Sequence, residues 1–187
     1  MERVSVSDAG TIARQIGRQP RGLLGIAARC SYGHPQAIRV HPIVDDEPFP
    51  TLFWLTCPYL GRRIDRLEAE GLIGRMEDRL AADGDLSARF TKASEDYIRE
   101  RLSLLTDEER MYLESHGMLS ALSEKGIGGI AERRRIKCLH LHVAHAMARE
   151  NPVGSDILDR IGRSECPQEE VICSTLVRVE QIERINR

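Results

Sequence analysis

The sequence predicts an α+β protein, mostly helical and built as a single domain, with a small antiparallel β-hairpin packed against a central helix. Three observations predict it. Two runs rich in β-branched and aromatic residues, AIRVHPI (37–43) and TLFWLTC (51–57), flank the turn-rich VDDEPFP. From residue 61 onward, apolar residues recur at helical spacing between capping and stop signals. Within that half, IKCLHLHVAH (136–145) is apolar on most sides, as an interior helix is.

In chain order, Ser7 or Asp8 can cap a short helix through DAGTIARQIG, which Gly17 and Pro20 end. The hairpin follows the CSYGHP turn, and Pro42 confines its first strand to an edge or ends it. GRRIDRLEAEGLIGRMEDRL carries Ile64, Leu67, Leu72 and Ile73 near one face, with Gly71 as a break. Asp85 or Ser87 opens a long charged helix, and Thr106 with Glu109 forms a capping box for the next, which Gly117 stops. EKGIGGI is ordered by its neighbours. A helix over 131–150 ends at Asn151-Pro152, and SDILDRIG follows with Ser155 as cap. The tail EVICSTLVRVEQI reads as a strand or a helix. Residues 1–166 form the globular domain in this reading, and 167–187 a C-terminal segment packed on it or extended.

The chain has 187 residues, 41% hydrophobic and 30% charged, which suits an ordinary folded domain with a real core. A net charge of -2 gives no general attraction for nucleic acid or anionic membrane. No apolar run reaches the roughly 20 residues of a membrane helix, and MERVSVSDAG lacks a signal peptide's apolar core, so a cytoplasmic location is expected. Thiols are kept reduced there, so the five cysteines are not expected to form a disulfide framework. Packing, metal binding or catalysis must explain them.

Over 131–150, helical spacing puts Ile136, Leu139, His140, Val143 and Met147 on the core face and Cys138 with His145 on the opposite one. His140 reads there as a satisfied core histidine, and His142 as reaching solvent. If Ile43 pairs near Thr51, the antiparallel register puts Cys57 opposite Ala37, at the end where Cys30 folds back. Cys57 and Cys166 each precede a proline, a context familiar after cluster-binding cysteines. No C-x₂₋₄-C knuckle of a structural zinc site is present. Dispersed Cys30, Cys57, Cys138 and Cys166 therefore suit an iron–sulfur cluster better than zinc, though each cysteine alone can be a small buried hydrophobe. Cys173, amid Val171 and Ile172, reads as core. Gln15, Arg18, Arg21 and Arg39 form a polar-cationic set near the cysteines, fit either to bind a small anionic ligand or to pair with acidic side chains.

QIGRQPRG (15–22), AARCSYGHP (27–35), PFPTLFWLTCP (48–58), KCLHLHVAH (137–145) and NPVG (151–154) occur in that order. Together they resemble the bacterial family catalogued as domain of unknown function 501, across about residues 8–166. The resemblance implies cysteine ligands at Cys30, Cys57, Cys138 and Cys166, with His140 and His145 as further candidates, while His142 and Cys173 match nothing. Members of that family are encoded near a cell-division coiled-coil protein and a polyphosphate-type phosphatase, which implies a protein partner but no reaction.

Three functions stay open. The first is a metal protein holding an iron–sulfur cluster, or zinc, with a redox, sulfur-chemistry or stapling role. The second is an enzyme with Cys138 or Cys57 as nucleophile and His145 or His140 as base, acting on an anionic substrate. The third is an interaction module linked to cell division, using the charged helix after Asp85. GIGGI lacks the lysine and spacing of a phosphate loop, and Asp45-Asp46 sits in a hairpin loop where solubility explains it.

Overall fold

The first helix begins where a short polar side chain can satisfy its free N–H groups. A computed structural model of the chain describes residues 2–132 and 135–176. In it, α1 (Val6–Ile16) is capped by Ser5, ahead of the expected Ser7 or Asp8, and Asp8 instead completes the capping box with Ser5. The chain then forms β1 (Leu23–Arg29), β2 (Pro35–Val40), β3 (Ile43–Val44), β4 (Glu47–Pro48) and β5 (Phe53–Leu55). β1, β2 and β5 make one antiparallel sheet in that order, and β3 pairs with β4 separately.

Two expectations about the hairpin need correction. Its partner strands pair as Ala37 with Leu55 and Arg39 with Phe53, a register two residues away from the expected one. Cys57 therefore lies beyond the paired strands, with its N–H donating to the Gln36 carbonyl at 3.2 Å. The reason is the intervening loop, which folds into its own β3–β4 hairpin with Asp45 and Asp46 at φ 53° and 62°, as a two-residue primed turn requires. The sheet also gains β1, whose glycine and alanines carry weak strand propensity and whose place is set by pairing with β2.

Alternation along these strands sorts the core. Ala37, Phe53 and Leu55 join the larger cluster, while Ile38 and Val40 pack with Ile12 of α1 and with Trp54 on the other face. The larger cluster is closed by α2 (Pro58–Ala69), α3 (Leu72–Ala82) and α4 (Gly84–Leu102). The chain goes on through α5 (Asp107–Ser115), α6 (Ser120–Ser123), α7 (Leu139–Ala146) and α8 (Pro152–Ile161). Each fully buried Leu, Ile or Phe contributes about 1.5–3 kcal/mol, which makes this cluster the main source of stability. α7 lies against β5 and packs closely with α8, so the expected central helix against a small sheet is present. Gly71, left-handed at φ 78°, divides α2 from α3, and the Thr106–Glu109 capping box starts α5. α4 is capped by Asp83 rather than Asp85 or Ser87, and α8 by Asn151 rather than Ser155.

The central helix is shorter than its expected 131–150. Residues 135–138 are not helical, and Cys138 is the extended N-cap of α7 at φ −160° and ψ 154°. Cys138 and His145 therefore do not share a helix face. Of the tail, residues 172–176 are helical, and the expected strand or helix from 177 onward lies outside the described residues. Among the described residues no helix is long and apolar enough to cross a membrane.

Candidate metal centres

Three cysteines sit at a boundary between elements, and a fourth, Cys173, lies in the short helix over 172–176. Cys30 follows β1 and opens a tight turn, donating its N–H to the His34 carbonyl at 3.0 Å and accepting from the Gly33 N–H at 2.9 Å. Cys57 is the N-cap of α2, where Pro58 supplies a first residue that needs no N–H partner. Cys166 and Cys173 lie in the segment after α8, which the Cys30 turn and the start of β2 hold in place. Ser31 donates to Glu165 through its N–H at 2.7 Å and its hydroxyl at 2.5 Å, and the Tyr32 hydroxyl donates to the Cys166 carbonyl at 3.1 Å. Gln36 donates to the Ser164 carbonyl at 2.8 Å. Gln15 of α1 donates to the Cys173 sulfur at 3.2 Å and to the Pro35 carbonyl at 2.7 Å.

These bonds gather the four thiols into one region. Burial pushes the Cys57 thiol up, against the N–H groups of Leu60 and Tyr59 and the Gln36 side chain, which favour its thiolate; charge on Cys166 raises it further. Burial likewise pushes Cys173 up; the Gln15 bond opposes this, and charge on Cys57, Cys30 and Cys166 adds to it. Cys57 and Cys173 are therefore held as neutral thiols at neutral pH. Two buried polar atoms beside this group, Gln15 Oε1 and Thr56 Oγ1, have no hydrogen-bond partner among the described residues.

Cys138 belongs elsewhere. Glu68, in the last turn of α2, accepts from the Leu139 N–H at 2.6 Å and lies 3.2 Å from His140 Nδ1. The other ring nitrogen of His140 is 3.3 Å from Asp65. Donor atoms of Glu68, Cys138 and His140 all lie within 4.8 Å of one another, and among the described residues no other three His, Cys, Asp or Glu side chains do so. Cys57 begins α2 and Glu68 ends it, about 16 Å apart along the axis, so Cys57 and Cys138 mark opposite ends of one helix. His140 is partly exposed rather than buried in the core. A hydrogen bond with Cys138 raises it to about 9; burial opposes this, and the charges of Glu68, Cys138 and Asp65 reinforce it.

The other two histidines serve packing. His142, expected to reach solvent, is 1% exposed, as is His145. The Asn151 amide donates to Nδ1 of His142 at 3.2 Å and of His145 at 2.9 Å, while its oxygen accepts the Gly154 N–H at 2.9 Å. Both rings also lie among aromatics, with His145 stacked on Phe53 at 5.5 Å and 10°. His145 is thus held by Asn151 and Phe53, and its place is the core between α7, α8 and β5.

Of the polar-cationic set, only Gln15 stands at the thiols. Arg18 lies over the Trp54 ring at 5.0 Å, Arg21 pairs with Asp45, and Arg39 pairs with Glu100 at 2.7 Å. The sequence reading missed Glu68, Asp65 and Gln36, which carry no pattern separating them from solvated helix or strand residues. Cys173 sat in an apolar run and gave only a core signal.

A family model described as Protein of unknown function (DUF501) matches residues 26–159. That span contains Cys30, Cys57, Cys138 and His140 and ends before Cys166 and Cys173. No curated protein and no solved structure matches the chain.

Proposed function

The chain belongs to the DUF501 family, and from its thiol geometry we propose that it is a metal-cluster protein in which Cys30, Cys57, Cys166 and Cys173 ligate an iron–sulfur cluster. The observation that carries the reading is the gathering of these thiols from separate parts of the chain, beside the orphaned Gln15 Oε1 and Thr56 Oγ1.

Spacing favours a cluster over a single zinc. With zinc–sulfur bonds of about 2.3 Å, two sulfurs on one ion stand no more than about 4.6 Å apart. No three of the cysteine sulfurs lie within 4.8 Å of one another. A cluster carries its cysteines on separate irons and suits the wider spread. The hydroxyl of Thr56 and the N–H groups at the start of α2 are the kind of donors that tune cluster sulfurs.

A cluster here also staples the protein. Side-chain bonds of Ser31, Tyr32, His34, Gln36 and Gln15 also hold residues 164–174. Gaining or losing the cluster would hold or release that segment, which makes redox sensing or sulfur chemistry in a reducing compartment the role it fits. Protein purified without oxygen and examined by Mössbauer spectroscopy, with iron and acid-labile sulfide assays, tests this. Brown protein with iron and sulfide in similar amounts supports the proposal. Colourless protein that takes up zinc alone at these cysteines contradicts it.

A further inference from the structure

We propose a second, mononuclear metal site of the zinc type at the far end of α2, formed by Cys138, His140 and Glu68, with Asp65 holding the second ring nitrogen of His140 and the remaining position open to water. Its donors come from two elements fixed against each other. Asp65 and Glu68 are three residues apart on α2, so both carboxylates project from one face. Cys138 and His140 flank the start of α7, which Glu68 pins through the Leu139 N–H at 2.6 Å. Three donor atoms already lie within 4.8 Å of one another, close to the spacing that one ion imposes on its ligands.

Charge points the same way. Two carboxylates and an ionisable thiol surround one imidazole, whose ring nitrogens stand 3.2 Å from Glu68 and 3.3 Å from Asp65. A divalent ion would replace the proton of the Cys138 thiol and any second proton on His140, releasing them to solvent as the sulfur–metal and nitrogen–metal bonds form. The mixture of one sulfur, one nitrogen and carboxylate oxygens suits zinc or cobalt and not the hard ions calcium and magnesium. Partial exposure of the site, with the Asp65 side chain 68% accessible, leaves an entry path.

A nucleophilic cysteine with His140 as its base fits less well. Such a pair needs one ring nitrogen kept for the thiol and the other held by an orienting group. His140 does bond Cys138, but a carboxylate also stands within 3.3 Å of each of its ring nitrogens, so neither nitrogen is kept for the thiol alone.

Cobalt(II) chloride added to the full-length protein tests the proposal through the sulfur-to-cobalt charge-transfer band in a difference spectrum, with zinc chloride as competitor. One equivalent should bind with a single-thiolate band that zinc abolishes. Cys138→Ser should remove the band, and Glu68→Gln or His140→Ala should weaken binding by at least about 10-fold. Cys173→Ser should leave it unchanged. The proposal is overturned if Cys138→Ser keeps the band, if Cys173→Ser removes it, or if no cobalt binds while Cys138 reacts with iodoacetamide faster than the other cysteines. Iron and sulfide contents of Cys138→Ser report on the cluster separately, so the two sites can fail independently.

Discussion

Lowering the pH from 7 to 5 should destabilise the protein strongly through two histidines held neutral in its core. Burial pushes His142 down to about 4, against the Asn151 bond that favours its charged form. Burial also pushes His145 down to about 3, helped by charge on His142 and Arg149 and opposed by Asp96. An unfolded histidine titrates near 6.5, so below that pH the unfolded chain binds protons that the folded chain refuses. Their contribution is complete above about 6.5 and falls as pH drops toward the folded values, at about 1.4 kcal/mol per pH unit for each ring. Between 6.5 and 5 that amounts to about 2 kcal/mol per histidine, or about 4 kcal/mol for the pair, against a typical total of about 5–15 kcal/mol. His140, raised to about 9, acts in the opposite sense: its stabilisation is complete well below 6.5 and is lost as pH rises from 6.5 through 9, in the variants as in the wild type. Urea denaturation of wild type, His142→Asn and His145→Asn at pH 7 and 5 measures the effect. Each variant should lose about 2 kcal/mol of the pH difference, whatever its stability at pH 7. Variants that keep the full wild-type difference, or ring pKa values near 6.5 by NMR, would refute the reasoning.

Two packing predictions follow from the same structure. Arg101 is 0% exposed, and its guanidinium donates to the carbonyls of Pro50, Gly126, Leu122 and Lys125. Arg101→Met keeps the apolar stem but leaves those carbonyls unpaired, so chemical denaturation should show a loss of at least about 3 kcal/mol. A Cβ at Gly154 would stand 2.0 Å from the His142 carbonyl oxygen, so Gly154→Ala must push α8 from α7, costing about 1–3 kcal/mol in the same assay.

The parts legible in the sequence were those set by local chemistry. Thr106 with Glu109 and the break at Gly71 act through their own neighbourhood, and both read correctly. β1 escaped because its stability comes from pairing with β2 rather than from its own residues. The start of α7 was misjudged because apolar periodicity continues through Ile136, which is buried yet outside the helix, its N–H held by Glu77 at 2.8 Å. Shortening that helix moved Cys138 off its face and toward Glu68. Cys30 and Cys57 were expected at one end of the hairpin; they follow β1 and β5, the strands on either side of β2, and each lies near Cys173. Cys173 reaches the same region through a tail whose path depends on Glu165 and Gln15, long-range contacts that no spacing rule encodes.

The proposed cluster and its ligands are tested most directly by serine replacement of each cysteine, with iron and sulfide measured after anaerobic purification. The account predicts that Cys30→Ser, Cys57→Ser, Cys166→Ser and Cys173→Ser each lose most of the iron and sulfide, while Cys138→Ser keeps both. Loss in Cys138→Ser with full retention in Cys173→Ser would contradict it.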